Sequence, residues 1–237
     1  MKVFLAGAAG AIGRRMVPFL LRAGHEVSGT TRSAEKAKEL ERAGVVPVVL
    51  DVFDAPAATA AVCAAKPEVV IHQLTDLPRE FDEARVVASY AKNARIRTEG
   101  TRNLIKAAQA CGARRFIVQS IAFGYAGGGE PHPETDPLDV SDPARAVTIK
   151  GSADMEQQVL ASGLDAVILR YGFFYGPGTW HEKPTRKPGL HVDAAAQAAL
   201  LALTRGGGIY NIADEDGVVT IAKARADLGF NPQFRLP

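Results

Sequence analysis

Gly7-Ala8-Ala9-Gly10-Ala11-Ile12-Gly13 is a glycine-rich turn that follows the apolar run 3–6 and opens a helical segment. Gly7 permits a tight turn, Gly10 lets the backbone approach a pyrophosphate, and Gly13 allows the helix to pack closely on the strand. The start of the helix also offers free N–H groups and a positive dipole end to phosphate oxygens. In this strand–turn–helix context the stretch predicts a dinucleotide-binding unit.

Short apolar runs alternate with longer helical segments along the rest of the chain. Seven runs are predicted strands: 3–6, 26–30, 45–50, 69–72, 116–119, 166–170 and 208–212. The predicted helices are 11–23, 34–43, 57–64, a long helix that ends near Cys111, 144–161 and 192–204. Most strands are apolar without alternation, which is typical of strands covered on both faces. The order predicts an α/β fold, a doubly wound parallel Rossmann sheet of about seven strands.

Composition favours one domain over residues 1–237, since 237 residues with 47% hydrophobic content build a single sizeable core. Lys+Arg 28 against Asp+Glu 26 leaves a net charge of +2, too balanced to indicate nucleic acid or an anionic membrane as the main partner. No apolar run approaches the roughly 20 residues that span a bilayer. We therefore expect a cytoplasmic protein with a small-molecule substrate.

The two cysteines, Cys63 and Cys111, lie in different helical stretches and form no metal or redox motif. In a reducing cytoplasm both are expected to be buried free thiols.

The spacing of the turn, GxxGxxG, resembles that of the short-chain dehydrogenase/reductase superfamily, in particular its extended branch of NAD-dependent epimerases and dehydratases. Similar motifs follow in family order at 50–52, 69–72, 99–104, 169–170, 175–178, 191–193, 210–212 and 228–232. The resemblance implies cofactor contacts from the following residues: Gly7, Ala9, Gly10, Ala11, Ile12, Gly13, Arg32, Asp51, Val52, Leu74, Lys150, Tyr171, Gly172 and Phe173.

The end of the second strand separates NAD from NADP. An acidic side chain there accepts hydrogen bonds from the ribose 2′-hydroxyl, whereas a cation accommodates the 2′-phosphate. By the resemblance Thr31 occupies the acidic position, and Arg32 follows with Lys36 one turn later. An arginine can grip a phosphate with two parallel hydrogen bonds, which favours NADP over NAD. The alternative is that both cations are simply solvated.

The catalytic set of the family, a Ser with Tyr-x-x-x-Lys, is incomplete here. The phenol acts near a substrate oxygen, with its pKa lowered by the ammonium one helical turn away. Lys150 is present, but Ala146 occupies the tyrosine position. Ser120 matches the first of two adjacent family serines, and Ile121 replaces the second, which is usually the catalytic one.

Replacement chemistry is expected from the ends of the strands. Tyr125, Tyr171 and His72 are each either an acid beside the nicotinamide or a packed side chain. The expected catalytic residues are Ser120, Tyr125, Lys150 and Tyr171, with Lys150 also holding the nicotinamide ribose.

The resulting prediction is an NADP-dependent oxidoreductase that acts on a small carbonyl or hydroxyl compound. Two alternatives stay open: a sugar epimerase or dehydratase, and a catalytically silent NADP-binding sensor or partner-docking protein. A hydroxyl of Ser120, Tyr125 or Tyr171 facing the nicotinamide pocket would favour the oxidoreductase, whereas apolar side chains sealing that space would favour the sensor.

Two irregular segments, 126–143 and 177–189, follow strands directly and are expected to face the substrate, or else to be surface loops. Residues 172–237 leave room only for a much reduced, small substrate-side lobe. The cations of the second segment, among them Lys183 and Arg186, either meet an anionic substrate or pair with the acidic loop 130–137. The resemblance also implies a homodimer through the long helix and the Lys150 helix.

Overall fold

A seven-stranded, fully parallel sheet organises the computed structural model, which describes residues 1–236. The sheet strands are β1 (Lys2–Ala6), β2 (Glu26–Thr31), β3 (Val46–Val49), β4 (Val69–His72), β5 (Arg115–Ile121), β6 (Asp165–Tyr171) and β9 (Gly208–Ile212). Their order is β3-β2-β1-β4-β5-β6-β9. The predicted doubly wound Rossmann sheet is confirmed, and each of the seven predicted strands lies in it.

Helices cover both faces of the sheet. They are α1 (Ala11–Arg22), α2 (Ala34–Arg42), α3 (Ala55–Ala65), α4 (Glu83–Arg95), α5 (Thr101–Ala110), α6 (Ala146–Leu160), α7 (Val192–Leu201) and α8 (Ala222–Leu228). One apolar core lies under α1, α7 and α8, and a second lies under α3, α5 and α6. Burial on both faces is the physical reason for the unbroken apolar runs of the strands.

The predicted long helix is two α-helices joined by a π-turn. The turn, Ile96–Gly100, lies between α4 and α5 and packs against α6. Single π-turns inside helices are frequent at functional sites.

The C-terminal region adds a short parallel pair, β7 (Phe173–Tyr175) with β8 (Gly189–His191). The pair follows β6 and precedes α7 at the carboxyl edge of the sheet, the edge at which ligands bind in open α/β folds. Only the segment 176–188 connects the two strands, consistent with the reduced C-terminal region that was predicted.

The expectation of two free thiols is wrong for this structure, since Cys63 and Cys111 form a disulfide. The bond joins the C-terminal ends of α3 and α5, whose packing brings the two Cα atoms to 4.8 Å. Sequence spacing could not reveal this pair, because 48 residues separate the cysteines. Within residues 1–236, no helix is long and apolar enough to cross a membrane.

Candidate active site

The glycine-rich turn has the geometry of a phosphate cradle. Gly7 has φ +95°, a left-handed conformation, and a Cβ there would lie 2.8 Å from the carbonyl oxygen of Gln73. A Cβ on Gly13 would lie 2.3 Å from the Gly7 carbonyl oxygen, so only glycine lets α1 approach β1 this closely. Gly10 caps α1 without a side-chain hydrogen bond, and the first helical turn holds no acidic residue. The N–H groups of the first turn are therefore available to an anion.

A shallow pocket lies at the carboxyl ends of β1, β2, β3 and β4. Its lining groups the expected cofactor residues Arg32, Asp51, Val52 and Leu74 with apolar neighbours: Ala6, Leu50, Phe53, Ile96 and Leu104. The amide of Asn103 donates to the Val52 carbonyl at 2.9 Å, which fixes the loop after β3. An apolar slot with a cation at its rim suits an adenosine.

Arg32 does not project freely into solvent. Its guanidinium is bound to Asp76, which also receives Lys92 at 2.7 Å. Burial alone would raise the pKa of Asp76, but the hydrogen bonds from Lys92 and Arg32 hold it below its ordinary value. A 2′-phosphate therefore has to compete with this carboxylate for Arg32, a contact that the sequence did not reveal.

The residues that the resemblance places at the family's tyrosine and serine positions, Ala146 and Ile121, are both apolar. Ala146 begins α6, and Ile121 ends β5 with only 4% of its surface exposed. Lys150 lies one turn after Ala146, exposed, with Nζ 3.4 Å from Asp154. Lys150 can therefore reach a ribose only by leaving a weak surface ion pair.

Ser120 belongs to a buried charged network. Its hydroxyl donates to Glu156 at 2.6 Å, and Arg170 binds both oxygens of the same carboxylate at 2.9 and 2.7 Å. Burial alone would lower the pKa of Arg170, but Glu156 outweighs it and raises the pKa above the ordinary value. The Ser120 hydroxyl is thus bound to Glu156, and its catalytic role stays a prediction.

Tyr125 lies at the other end of that network. Its hydroxyl accepts from Arg170 at 2.8 Å and donates to Asn211 at 2.6 Å, and its ring stacks on His132. Burial raises the pKa of Tyr125 despite the opposing influence of Arg170 and Asn211. The family's catalytic phenol needs the opposite shift, so this placement conflicts with a catalytic role.

Tyr171 is part of the core on the α7 side. It is 2% exposed, and its hydroxyl donates to the Ala195 carbonyl at 3.2 Å while accepting from Gln73. Burial raises the pKa of Tyr171 well above its ordinary value, against a smaller opposing effect of Gln73. The hydroxyl is thus engaged within the core, and the role of Tyr171 as an acid stays a prediction.

His72 is also excluded as an acid by its surroundings. It is 1% exposed, accepts from the Leu74 N–H at Nδ1, and lies 3.1 Å from the Thr101 hydroxyl at Nε2. Burial, aided by the nearby Arg97 cation, lowers the pKa of His72 to about 3. The neutral ring therefore fixes the loop after β4.

An aromatic group covers the carboxyl ends of β5 and β6. Phe123 and Phe173 stack with ring centroids 4.0 Å apart, and Phe81 lies edge-on to Trp180 at 5.6 Å. Arg186 lies over both Phe81 and Phe173, at 5.9 and 5.6 Å from the ring centroids.

Two of the three carboxylates of the acidic loop 130–137, those of Asp136 and Glu134, bind neighbouring groups. Asp136 binds His132 at 2.8 Å, and the Glu134 carboxylate accepts from the Asn211 N–H at 2.8 Å. Lys183 and Arg186 take part in no ion pair among residues 1–236. The sequence left two alternatives for these cations: to pair with the acidic loop or to meet an anionic substrate. In this structure Lys183 and Arg186 do not pair with the acidic loop.

Several site residues were missed at the sequence level: Gln73, Asp76, Glu156 and Asn211. Each is a single polar residue whose partners are distant in sequence, such as Arg170 for Glu156. Gln73 holds a buried Oε1 with no hydrogen-bond partner within residues 1–236. The backbone carbonyl of Gln73 lies beside Gly7, whereas the side-chain amide donates to the Tyr171 hydroxyl at 3.4 Å.

These features fit a nicotinamide dinucleotide. Comparison with known proteins gives the same answer: residues 7–195 match the sequence profile of the NAD(P)H-binding family. A 3-diazoavenalumate denitrifying reductase of a Streptomyces species is 40% identical over 239 aligned residues, which span 91% of this chain and 77% of that protein.

Solved structures share the fold at low identity. The UDP-glucose 4-epimerase of Thermotoga maritima, solved with UDP-glucose, aligns over 99% of this chain and 94% of its own, with a TM-score of 0.80 and 19% identity. The Thermus thermophilus UDP-glucose 4-epimerase, in complex with NAD, aligns over 100% and 95% with a TM-score of 0.78 and 22% identity. The chain belongs to the NAD(P)H-binding family, is an oxidoreductase or epimerase-type enzyme, and shares its fold with these two epimerases.

Proposed function

We propose that this chain is an NADP-dependent reductase whose acceptor needs no proton from the protein, a small electron-poor aromatic compound of the diazo class. The observation that carries the proposal is the lack of an acid at the family's catalytic positions. Ala146 and Ile121 replace the tyrosine and serine, while Ser120, Tyr125 and Tyr171 are held by other partners.

The chemistry of the acceptor decides which residues a reductase needs. A carbonyl develops negative charge on oxygen during reduction and requires a hydrogen-bond donor or acid there. Bound NADPH supplies a hydride, and a hydride added to an arenediazonium ion, with loss of N2, gives the arene without any proton. The 40% identical relative, a denitrifying reductase of a diazo compound, supports this class over the carbonyl and sugar substrates.

The protein's own contribution is then binding and exclusion of water. The Gly7 turn and the start of α1 bind the diphosphate, and Arg32 meets the 2′-phosphate after leaving Asp76. Lys150 binds the nicotinamide ribose. Ile121 and the stacked Phe123–Phe173 pair keep the reacting end apolar, which protects a water-sensitive acceptor.

The test is a comparison of two acceptors in wild type and Ala146→Tyr. Wild type with NADPH should release N2 from 4-carboxybenzenediazonium faster than a protein-free control and should leave 4-carboxybenzaldehyde unreduced. Because the diazonium needs no acid, Ala146→Tyr should not accelerate its reduction, although Lys150 lies one turn away. Reduction of the aldehyde but not the diazonium by wild type would refute the proposal.

The cofactor preference is tested by titrating NADPH and NADH calorimetrically. NADPH should bind at least about tenfold tighter, since a charge-assisted contact is worth roughly 1.5–3 kcal/mol. Arg32→Ala should remove the difference, whereas Arg42→Ala, an exposed arginine on α2, should keep it. Equal binding of both cofactors to wild type would refute the assignment to NADP.

A homodimer is proposed through α4 and α6, which pack together and leave Val87 and Val147 about half exposed. Light scattering should give twice the 25.1 kDa chain mass.

The single-domain organisation with a small lobe at 172–237, and the cytoplasmic location, stay predictions.

A further inference from the structure

We propose that Arg186 is a specificity residue that pairs with a carboxylate on the aromatic substrate, within a clamp formed by Phe81, Phe173, Trp180 and Arg186. The inference rests on the proposed function in that it names the substrate class of the same site: a planar aromatic carboxylate.

The clamp is built from two loops at the carboxyl edge of the sheet. Phe81 lies in the segment between β4 and α4, whereas Trp180 and Arg186 lie between β7 and β8. The indole N–H of Trp180 donates to the Pro78 carbonyl at 2.9 Å and ties the two loops together. The clamp therefore combines residues of both loops with Phe173, which lies in β7.

Phe173 places the clamp beside Ile121 and Ala146, where the nicotinamide would meet the substrate. Phe173 starts β7 two residues after Tyr171, and Tyr171 is paired in register with Ile121, the family's serine position. Phe173 also stacks on Phe123, whose carbonyl accepts from Arg145, the residue before Ala146. An aromatic ring bound against the clamp thus lies next to both replaced catalytic positions.

The positive charge of Arg186 favours a negatively charged ligand. Arg186 contacts ring faces on two sides, yet its guanidinium pairs with no carboxylate among residues 1–236. In the acidic loop 130–137, Asp136 is engaged with His132 and Glu134 with the Asn211 N–H. A guanidinium between aromatic faces offers both stacking area and a planar fork that matches a carboxylate.

A sugar nucleotide fits the same features less well. Its pyrophosphate carries more charge, and the connection between β7 and β8 is only the segment 176–188. A single unpaired arginine over aromatic rings suits one carboxylate on a flat ring.

The experiment uses Trp180, the single tryptophan of the chain, as a built-in reporter. In the protein loaded with NADP⁺, which cannot turn over, 4-hydroxycinnamate and its neutral amide are titrated against Trp180 fluorescence. The carboxylate should bind at least about tenfold tighter than the amide, as expected for a charge-assisted pair. Arg186→Gln should abolish that ratio, whereas Lys183→Gln, an exposed cation of the same loop, should preserve it. Circular dichroism checks that both variants fold.

Equal affinity for the two probes would overturn the inference, as would an equal loss in both variants or tighter binding of UDP than of 4-hydroxycinnamate. These readouts involve no turnover. If the carboxylate preference is found but the diazonium is not reduced, the clamp proposal stands and the proposed reaction is refuted. If the diazonium is reduced but the carboxylate binds no tighter than the amide, only the clamp proposal is refuted.

Discussion

Removing Arg170 should strongly destabilise the protein, because the residue neutralises a buried carboxylate. The side chains of Arg170 and Glu156 are 5% and 6% exposed and share two hydrogen bonds. Arg170→Met leaves Glu156 charged or forces it to take up a proton, with the Ser120 hydroxyl as its remaining donor. Breaking such a buried pair from one side costs about 3–5 kcal/mol in free energy of unfolding. That is a large share of the roughly 5–15 kcal/mol by which native proteins are stable.

Urea unfolding followed by circular dichroism measures the effect. With a slope of about 2–3 kcal/mol per M, the midpoint should fall by roughly 1–2.5 M. Asp154→Asn is the matched control on the same helix, since it breaks the exposed pair with Lys150 and should change stability by less than about 1 kcal/mol.

The double variant Arg170→Met, Glu156→Leu separates the charge from the packing. It should be more stable than Arg170→Met alone, because no buried charge is left unpaired. If Arg170→Met costs less than about 1 kcal/mol, or if the double variant is no better, the network is not buried as described, and Ser120 and Tyr125 become available again as catalytic groups.

Three further measurements test other parts of the structure. Reduction of the Cys63–Cys111 bond should lower the free energy of unfolding by about 4 kcal/mol, given its separation of 48 residues; two reactive thiols in the untreated native protein would contradict the bond. Burial lowers the pKa of His72 to about 3 in the folded protein, against an ordinary value of 6.5, so the unfolded chain binds the extra proton. Its stabilisation, present above pH 6.5, is lost as the pH falls towards 3, at about 1.4 kcal/mol per pH unit. His72→Gln should flatten that slope in urea titrations, and an unchanged slope would contradict the buried neutral ring. Val87→Glu should halve the mass measured by light scattering; an unaltered dimer would exclude α4 from the contact.

The sheet and the cofactor cradle are predictable from sequence because each depends on neighbouring residues. The turn from Gly7 to Gly13 needs small residues at three fixed spacings, and the apolar runs need only to be covered on both faces. The clearest errors of the sequence-based prediction concern where strands end. Strand β5 runs to Ile121 rather than ending at residue 119, which places Ser120 inside the sheet and turns it toward Glu156.

The roles of the candidate acids depended on partners that are distant in sequence. Tyr125, Tyr171 and His72 were plausible acids, since each lies in or just after a strand end at the ligand-binding edge. Side-chain direction and burial decide which of them can react, and those follow from packing against segments such as Ala195 on α7.

By itself, the sequence determined the Rossmann fold and the NAD(P)-binding turn, because these are properties of local pattern and residue identity. Only the tertiary structure decided that Arg32 is held by Asp76, that Cys63 meets Cys111, and that Arg186 lies unpaired over aromatic rings. The physical reason is that a hydrogen bond, a disulfide or an ion pair depends on distances of a few ångströms between residues. Those distances are set by how the helices and loops pack on the sheet, and no spacing along the chain encodes them.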